Sequence, residues 1–112
     1  MPKYLLLLEG NPPGLEPAAD DTVTQSFNQR WMDWVAALVG EGKLAAGGPL
    51  APAATEVTNQ GAVERALQPV DVYGFLLLDV ASLDEATEIA GQAPNVQLGG
   101  AAVVRPVPDV GL

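Results

Sequence analysis

The chain has 112 residues, 48% of them apolar, and its 14 acidic against 5 basic side chains give a net charge of −9. This length and apolar content predict one folded domain over residues 1–112, and the acidic surface disfavours nucleic acid and anionic membranes as partners. The absence of Cys and His excludes disulfides, thiolate zinc sites, cysteine nucleophiles and catalytic triads that need an imidazole.

The first predicted element is a strand over residues 4–8, a short apolar run followed by Glu-Gly-Asn-Pro-Pro. An uninterrupted apolar run bounded by such residues is typical of a strand that is buried on both faces. It is too short for a signal peptide or a membrane span, so we expect a cytoplasmic protein. Residues 11–19 contain three prolines and are predicted to form an irregular loop.

A long helix is predicted next, with side-chain oxygens at residues 20–22 to cap its first turn and Gly40 and Gly42 to end it. One face of this helix is marked by residues at steps of three and four. These residues are Val23, Phe27, Arg30, Trp31, Trp34 and Leu38.

A second strand is predicted over residues 43–50, where Gly47 and Gly48 indicate a bulge or the close approach of another backbone. Residues 53–58 and 62–67 flank Asn-Gln-Gly and are predicted to form a hairpin, because glycine supplies the positive φ of a tight turn. Residues 72–80 are rich in aromatic and aliphatic side chains and are predicted to form another buried strand.

A second helix is predicted to begin at a capping box, Ser-Leu-Asp-Glu at residues 82–85. In this motif the Ser82 hydroxyl accepts from the Glu85 N–H and the Glu85 carboxylate reaches back to Ser82. Pro94 is predicted to end the helix, residues 97–104 to form the last strand, and residues 106–112 to be a Pro-rich tail.

Without the hairpin, the predicted order of elements is βαββαβ, the ferredoxin-like arrangement of an α+β domain. Two helices then cover one face of the sheet, and no further element remains to cover the other. We therefore expect a second copy of the chain to cover that face, which gives a face-to-face homodimer.

Three stretches of the sequence resemble the YCII-related family, including its branch named for an Asp-Gly-Pro-Phe motif. They are residues 3–8, residues 41–55, and a second half made of residues 73–80, 82–86 and 103–107. The resemblance implies the dimeric α/β-barrel form of the ferredoxin-like fold, with a cleft between the helices and the sheet of each protomer.

The sequence departs from this family at two places. Some family members are thought to use a His–Asp pair, and Trp31 stands near the position of that His. The Asp-Gly-Pro-Phe motif falls near residues 65–70, which are Arg-Ala-Leu-Gln-Pro-Val in this chain. No family site residue therefore carries over by identity.

The candidate ligand-binding residues are Phe27, Arg30, Trp31, Trp34 and Tyr73. The aromatic residues of the first helix either form a wall for a planar or hydrophobic ligand or pack in the core. Arg30 either holds a ligand carboxylate or forms a surface pair with Asp33, three residues away.

Asp33, Asp71 and Glu9 are the candidates for a general base, because a carboxylate near the cleft can act as one when burial raises its pKa. Each is also explained as a residue that caps a turn or lies on the surface. We predict no metal and no cofactor, since acidic residues in first helical turns interact with the helix dipole and no calcium-loop pattern is present.

The sequence therefore favours a homodimeric protein that binds a small hydrophobic or aromatic metabolite. The first alternative is a metal-independent enzyme, such as a cyclase, isomerase or lyase, that uses an Asp or Glu base in a desolvated pocket. The second alternative is a purely structural dimeric subunit.

Overall fold

The computed structural model of the chain describes residues 2–10, 21–51, 53–67 and 71–109, without the side chains of residues 21–25 and 27. The loop predicted over residues 11–19 and the cap at residue 20 lie outside the described residues. The strands are β1 (Lys3–Glu9), β2 (Leu44–Pro49), β3 (Ala54–Thr58), β4 (Gly61–Arg65), β5 (Val72–Asp79) and β6 (Ala101–Val107). The helices are α1 (Asp21–Gly40), α2 (Leu83–Gly91) and α3 (Pro94–Gln97).

Four strands form an antiparallel sheet in the order β2-β5-β1-β6, and β3 pairs with β4 in a separate hairpin. The first and third strands of the βαββαβ unit lie at the centre of this sheet, and its second and last strands are at the edges. This is the ferredoxin-like order, so the predicted α+β fold with an inserted hairpin is confirmed.

The core lies between the sheet and the helices, because alternate residues of the central strands point to the same face. Leu6 and Leu8 of β1 and Leu76 and Leu78 of β5 are between 0% and 4% exposed. Leu7, between the first two, is only half-buried. The apolar run of β1 predicted burial on both faces, whereas the described residues cover only one of them.

The ends of the two longer helices agree with the local sequence. After α1, Gly42 takes a φ of +71°, and the Lys43 N–H donates to the Leu38 carbonyl at 2.9 Å, as in a glycine-terminated helix. At the start of α2, the Ser82 hydroxyl accepts from the Glu85 N–H at 3.2 Å. The predicted glycine cap at the end of α1 is therefore confirmed. Of the two reciprocal bonds of the predicted capping box, the one from the Glu85 N–H to the Ser82 hydroxyl is confirmed.

The C-terminal region differs from the prediction in two respects. Pro94 does not directly end α2, which stops at Gly91, but begins α3, where the missing proline N–H is not required. The last strand is β6 and not residues 97–104, and it includes Pro106, paired with Tyr4. An edge strand tolerates proline because one side of it makes no sheet hydrogen bonds. Of the predicted Pro-rich tail over residues 106–112, residues 106 and 107 belong to β6. Residues 108–109 follow the strand and are not part of it.

Gly47 is the point of close approach that the glycine pair of β2 predicted. A Cβ atom at this position would lie 2.8 Å from the carbonyl oxygen of Phe75 and 2.6 Å from Cδ2 of Leu76. At Gly48 a Cβ atom would meet nothing within 4 Å. The register of β2 against β5 also shifts between Leu44 and Ala46, so a bulge is present as well.

Replacing Gly47 by alanine is expected to lower the free energy of unfolding by about 1–3 kcal/mol, because the new methyl group must displace the backbone of β5. Gly48→Ala is the matched control, since it lowers the conformational entropy of the unfolded chain by the same amount but adds no steric clash in the folded chain. Urea denaturation of both variants measures the difference. Equal stabilities of the two variants would contradict the close packing at Gly47.

Candidate functional site

The aromatic residues of α1 lie at the boundary between the helix and the core. Leu38 is buried, while Trp31 and Trp34 are half-buried and pack against the core cluster. The two indole rings meet edge to face, with centroids 5.3 Å apart and an angle of 70° between their planes, which is a favourable arrangement. These residues therefore contribute to the core and are also partly exposed to solvent. The side chain of Phe27 lies outside the described residues.

Nε1 of Trp34, the hydroxyl of Tyr73 and Oδ1 of Asn95 are buried polar atoms without a hydrogen-bond partner in the part of the chain that the structure describes. The side chains of Trp34 and Tyr73 both pack against the core cluster. An unsatisfied buried polar group destabilises a protein by about 1–3 kcal/mol, so native structures contain few of them. Trp34 Nε1 and the Tyr73 hydroxyl can each donate a hydrogen bond, so each can satisfy a ligand oxygen.

Tyr73 lies on β5 where the pairing with β1 is irregular. Leu8 pairs with Gly74 and Glu9 with Val72, so Tyr73 is the extra residue of a bulge. Bulges reorient side chains at the ends of strands. Burial raises the pKa of the Tyr73 hydroxyl to about 12, because desolvation disfavours the phenolate. Tyr73 therefore keeps its proton at neutral pH and remains a hydrogen-bond donor.

Arg30 and Asp33 are both exposed on α1, and the predicted pair between them does not form. The Asp33 carboxylate instead accepts from Nε2 of Gln29 at 2.8 Å, because residues four apart on a helix also face each other. Within the described residues, Arg30 forms no ion pair. Its assignment as a ligand-binding residue stays a prediction.

The three candidate bases are not brought into one cluster. Asp71 is half-buried and lies 3.3 Å from Nη2 of Arg65 in an ion pair, Glu9 is half-buried, and Asp33 is exposed. In the described ranges, no group of three or more acidic side chains is placed to hold a metal ion. A catalytic role for these residues stays a prediction.

Sequence reasoning missed one residue, Asn95, which is buried with 3% exposure. Its Nδ2 donates to the carbonyl of Ala101 at 2.9 Å and to that of Glu9 at 3.3 Å. The side chain thus ties β1 to β6 at the end of the sheet where Tyr73 lies. The only signal in the sequence was a polar residue directly after Pro94, where the second helix was predicted to end, and no role was predicted for it.

The side of the sheet that faces away from the helices forms an apolar surface, which we call the open face. Alternation with the buried leucines places Leu5, Leu7, Phe75 and Leu77 there, and all four are half-buried. Lys3 and Asp79, also on this face, form an ion pair at 3.7 Å. None of the described helices is long and apolar enough to cross a membrane.

Comparison with known proteins gave one family and a set of similar structures. The model of the YCII-related domain matches residues 3–109. A solved structure with a similar fold is 5-chloro-2-hydroxyhydroquinone dehydrochlorinase from Burkholderia phenoliruptrix, in complex with 2,5-dihydroxybenzoquinone. It is 18% identical, with a TM-score of 0.60 over 95% of this chain and 93% of that chain. A search of curated proteins gave no match.

Proposed function

Because the chain belongs to the YCII-related family, whose model matches residues 3–109, we propose that it is a cytoplasmic homodimer that binds a small planar metabolite. The ligand lies between α1 and the sheet, against Trp31, Trp34 and Tyr73. It is an aromatic or quinone-like ring that carries oxygen atoms.

The observation that carries this proposal is that two buried donors, Nε1 of Trp34 and the hydroxyl of Tyr73, have no hydrogen-bond partner among the described residues. In an apolar surrounding, such donors bind a ligand oxygen that replaces the water they have lost. The half-buried indole rings offer a flat apolar surface to the ring itself. The structural neighbour supports this ligand class, since it was solved with 2,5-dihydroxybenzoquinone, a ring with four oxygen substituents.

The open face supports the dimeric part of the proposal. Leu5, Leu7, Phe75 and Leu77 form a continuous apolar patch across the two central strands. Patches of this kind on soluble proteins are typical of interaction sites. A second copy of the chain presents the same patch, so the two faces match each other about a two-fold axis.

The same observations favour binding over catalysis. An enzyme of the cyclase, isomerase or lyase type needs a carboxylate base within reach of the ligand. Asp71 is nearest to Tyr73 in sequence, but its carboxylate is paired with Arg65. Asp33 is exposed on α1, and Glu9, half-buried at the end of β1, is the one candidate base on which the enzyme alternative depends. With two of the three candidates paired or exposed, we assign a binding role to the site.

Titration calorimetry with 2,5-dihydroxybenzoquinone tests the ligand proposal. The wild-type chain is expected to bind it, and Trp34→Phe and Tyr73→Phe are each expected to weaken binding about 2–12-fold, the value of one neutral hydrogen bond. Tyr4→Phe is the matched control, because Tyr4 also packs against the core cluster but its hydroxyl is not among the buried unpartnered atoms.

Two results would contradict the proposed site. One is equal affinity of the wild-type and Tyr73→Phe chains, and the other is equal affinity for the quinone and for toluene, a ring of similar size without oxygen. Unfolding of the ligand-free chains separates binding from stability. Tyr73→Phe removes a hydroxyl that has no partner within the described ranges, so the variant is expected to be as stable as the wild-type chain or more stable.

A further inference from the structure

The hairpin of β3 and β4, which we call the arm, is separate from the main sheet in the described part of the chain. Every residue from 55 to 67 is exposed, and the exposed fractions of Val57 and Val63 are 73% and 63%. The register pairs Val57 with Ala62 and Val63 with Glu56, so the two valines lie on opposite faces of the arm. An isolated two-stranded hairpin is at best marginally stable in water. The arm therefore needs another surface to pack against.

The dimensions of the molecule are consistent with a projecting arm. The radius of gyration is 15.4 Å, whereas a compact domain of this length has a value of about 13 Å. Five residues in each strand of the arm extend about 17 Å. The smallest dimension of the molecule is 19 Å, so an arm of this length reaches across most of the thickness of a second copy.

The edge strand β6 offers a surface that matches the arm. Its outer side has no neighbouring strand in the described chain, and exposed edges of this kind are usually covered or protected by charge. Val103 and Val107 are 38% and 41% exposed. Arg105 lies between them and pairs with Leu5 in the register, which places all three residues on the open face.

The charges of the two surfaces are complementary. Of the five basic residues, Lys3, Lys43 and Arg65 each have a carboxylate partner. Within the described ranges, Arg105 has none, and neither do the exposed residues Glu56 and Glu64 of the arm. Two chains of net charge −9 repel each other, so a contact that matches the acidic arm with an unpaired arginine favours their association.

We propose that the arm of each protomer packs on β6 of a second copy through the face that carries Val57 and Glu64, with Glu64 beside Arg105 of the partner subunit. Val57 then lies against the exposed valines of β6, Val103 and Val107. This inference rests on the dimer of the proposed function, because β6 borders the open face. The arm extends that interface beyond the sheet and gives Glu64 a role in association.

A charge exchange between the two surfaces tests the arm. Arg105→Glu alone and Glu64→Lys alone are each expected to raise the dimer dissociation constant about 10-fold, the effect of losing close charge pairs at an interface. The two substitutions together are expected to restore the wild-type value to within about 3-fold, since reversed charges attract equally. Sedimentation equilibrium of the full chain measures all four constants.

Glu88→Lys on α2, combined with Arg105→Glu, is the matched control. It makes the same change in net charge on an exposed residue of a helix that faces away from the open face, so it is expected to give no specific restoration. Restoration by this control as well as by the arm variant, or by neither, would overturn the arm contact while leaving the dimer intact. A wild-type chain that is monomeric at all concentrations would overturn both the arm and the dimer.

Discussion

Replacing Leu77 by glutamate is expected to separate the proposed dimer into monomers while each chain stays folded. Leu77 pairs with Leu5 near the middle of the open face and is half-buried in the single chain, so a second copy would complete its burial. A carboxylate without a partner at such a position opposes association by several kcal/mol. We therefore expect the dissociation constant to rise by at least about 1,000-fold.

Sedimentation velocity at micromolar concentration measures this effect, and circular dichroism confirms that the variant is folded. Thr87→Glu is the matched control, because it adds the same charge to an exposed position of α2, on the other side of the molecule. The control is expected to remain dimeric. A Leu77→Glu chain that stays dimeric would show that the open face is not the interface.

Removing the side chain of Asn95 is expected to give the largest loss of stability among the polar substitutions considered. Asn95→Ala leaves the carbonyls of Glu9 and Ala101 without the Nδ2 donor that both share. Water has little access, since a Cβ atom at Gly100 would lie 3.0 Å from the Glu9 carbonyl and 2.9 Å from that of Asn95. We expect the free energy of unfolding to fall by about 2–4 kcal/mol.

Urea denaturation tests this prediction, with Gln97→Ala as the control. The Gln97 amide also donates to a backbone carbonyl, that of Gly91 at 2.8 Å, but this bond is exposed. Water replaces it, so a change below about 1 kcal/mol is expected. Equal losses in the two variants would contradict the role of Asn95.

Asn95→Asp gives a second and pH-dependent test of the same contact. The aspartate would be buried against two carbonyl oxygens, which raises its pKa in the folded state above the unfolded value. The stability that the protonated form retains is therefore present below the unfolded pKa and is lost as pH rises through the folded pKa. Asn95→Asp is expected to be nearer to wild-type stability at acidic pH than at neutral pH.

The candidate site was predictable in its residue types but not in its contacts. Trp31 and Trp34 follow from helical spacing, because one face of an amphipathic helix packs on the sheet. That Trp34 Nε1 and the Tyr73 hydroxyl have no partner among the described residues depends on which groups surround them in three dimensions. The partner of Asp33 could not be chosen from sequence, since Gln29 and Arg30 both stand within one turn of it.

Local patterns in the sequence determined the central strands, the arm and the helix caps, because each depends on neighbours within a few residues. The Ser82 cap needs only Glu85 nearby, and Gly61 reaches its φ of +125° within its own turn. The boundaries of β6 and the role of Asn95 were decided only by tertiary structure, because their partners on β1 are about 90 residues away in the chain. The open face depends both on the local sequence pattern and on the tertiary structure. Its apolar residues are visible in the sequence, but only the sheet register brings Leu5, Leu77 and Arg105 onto one surface.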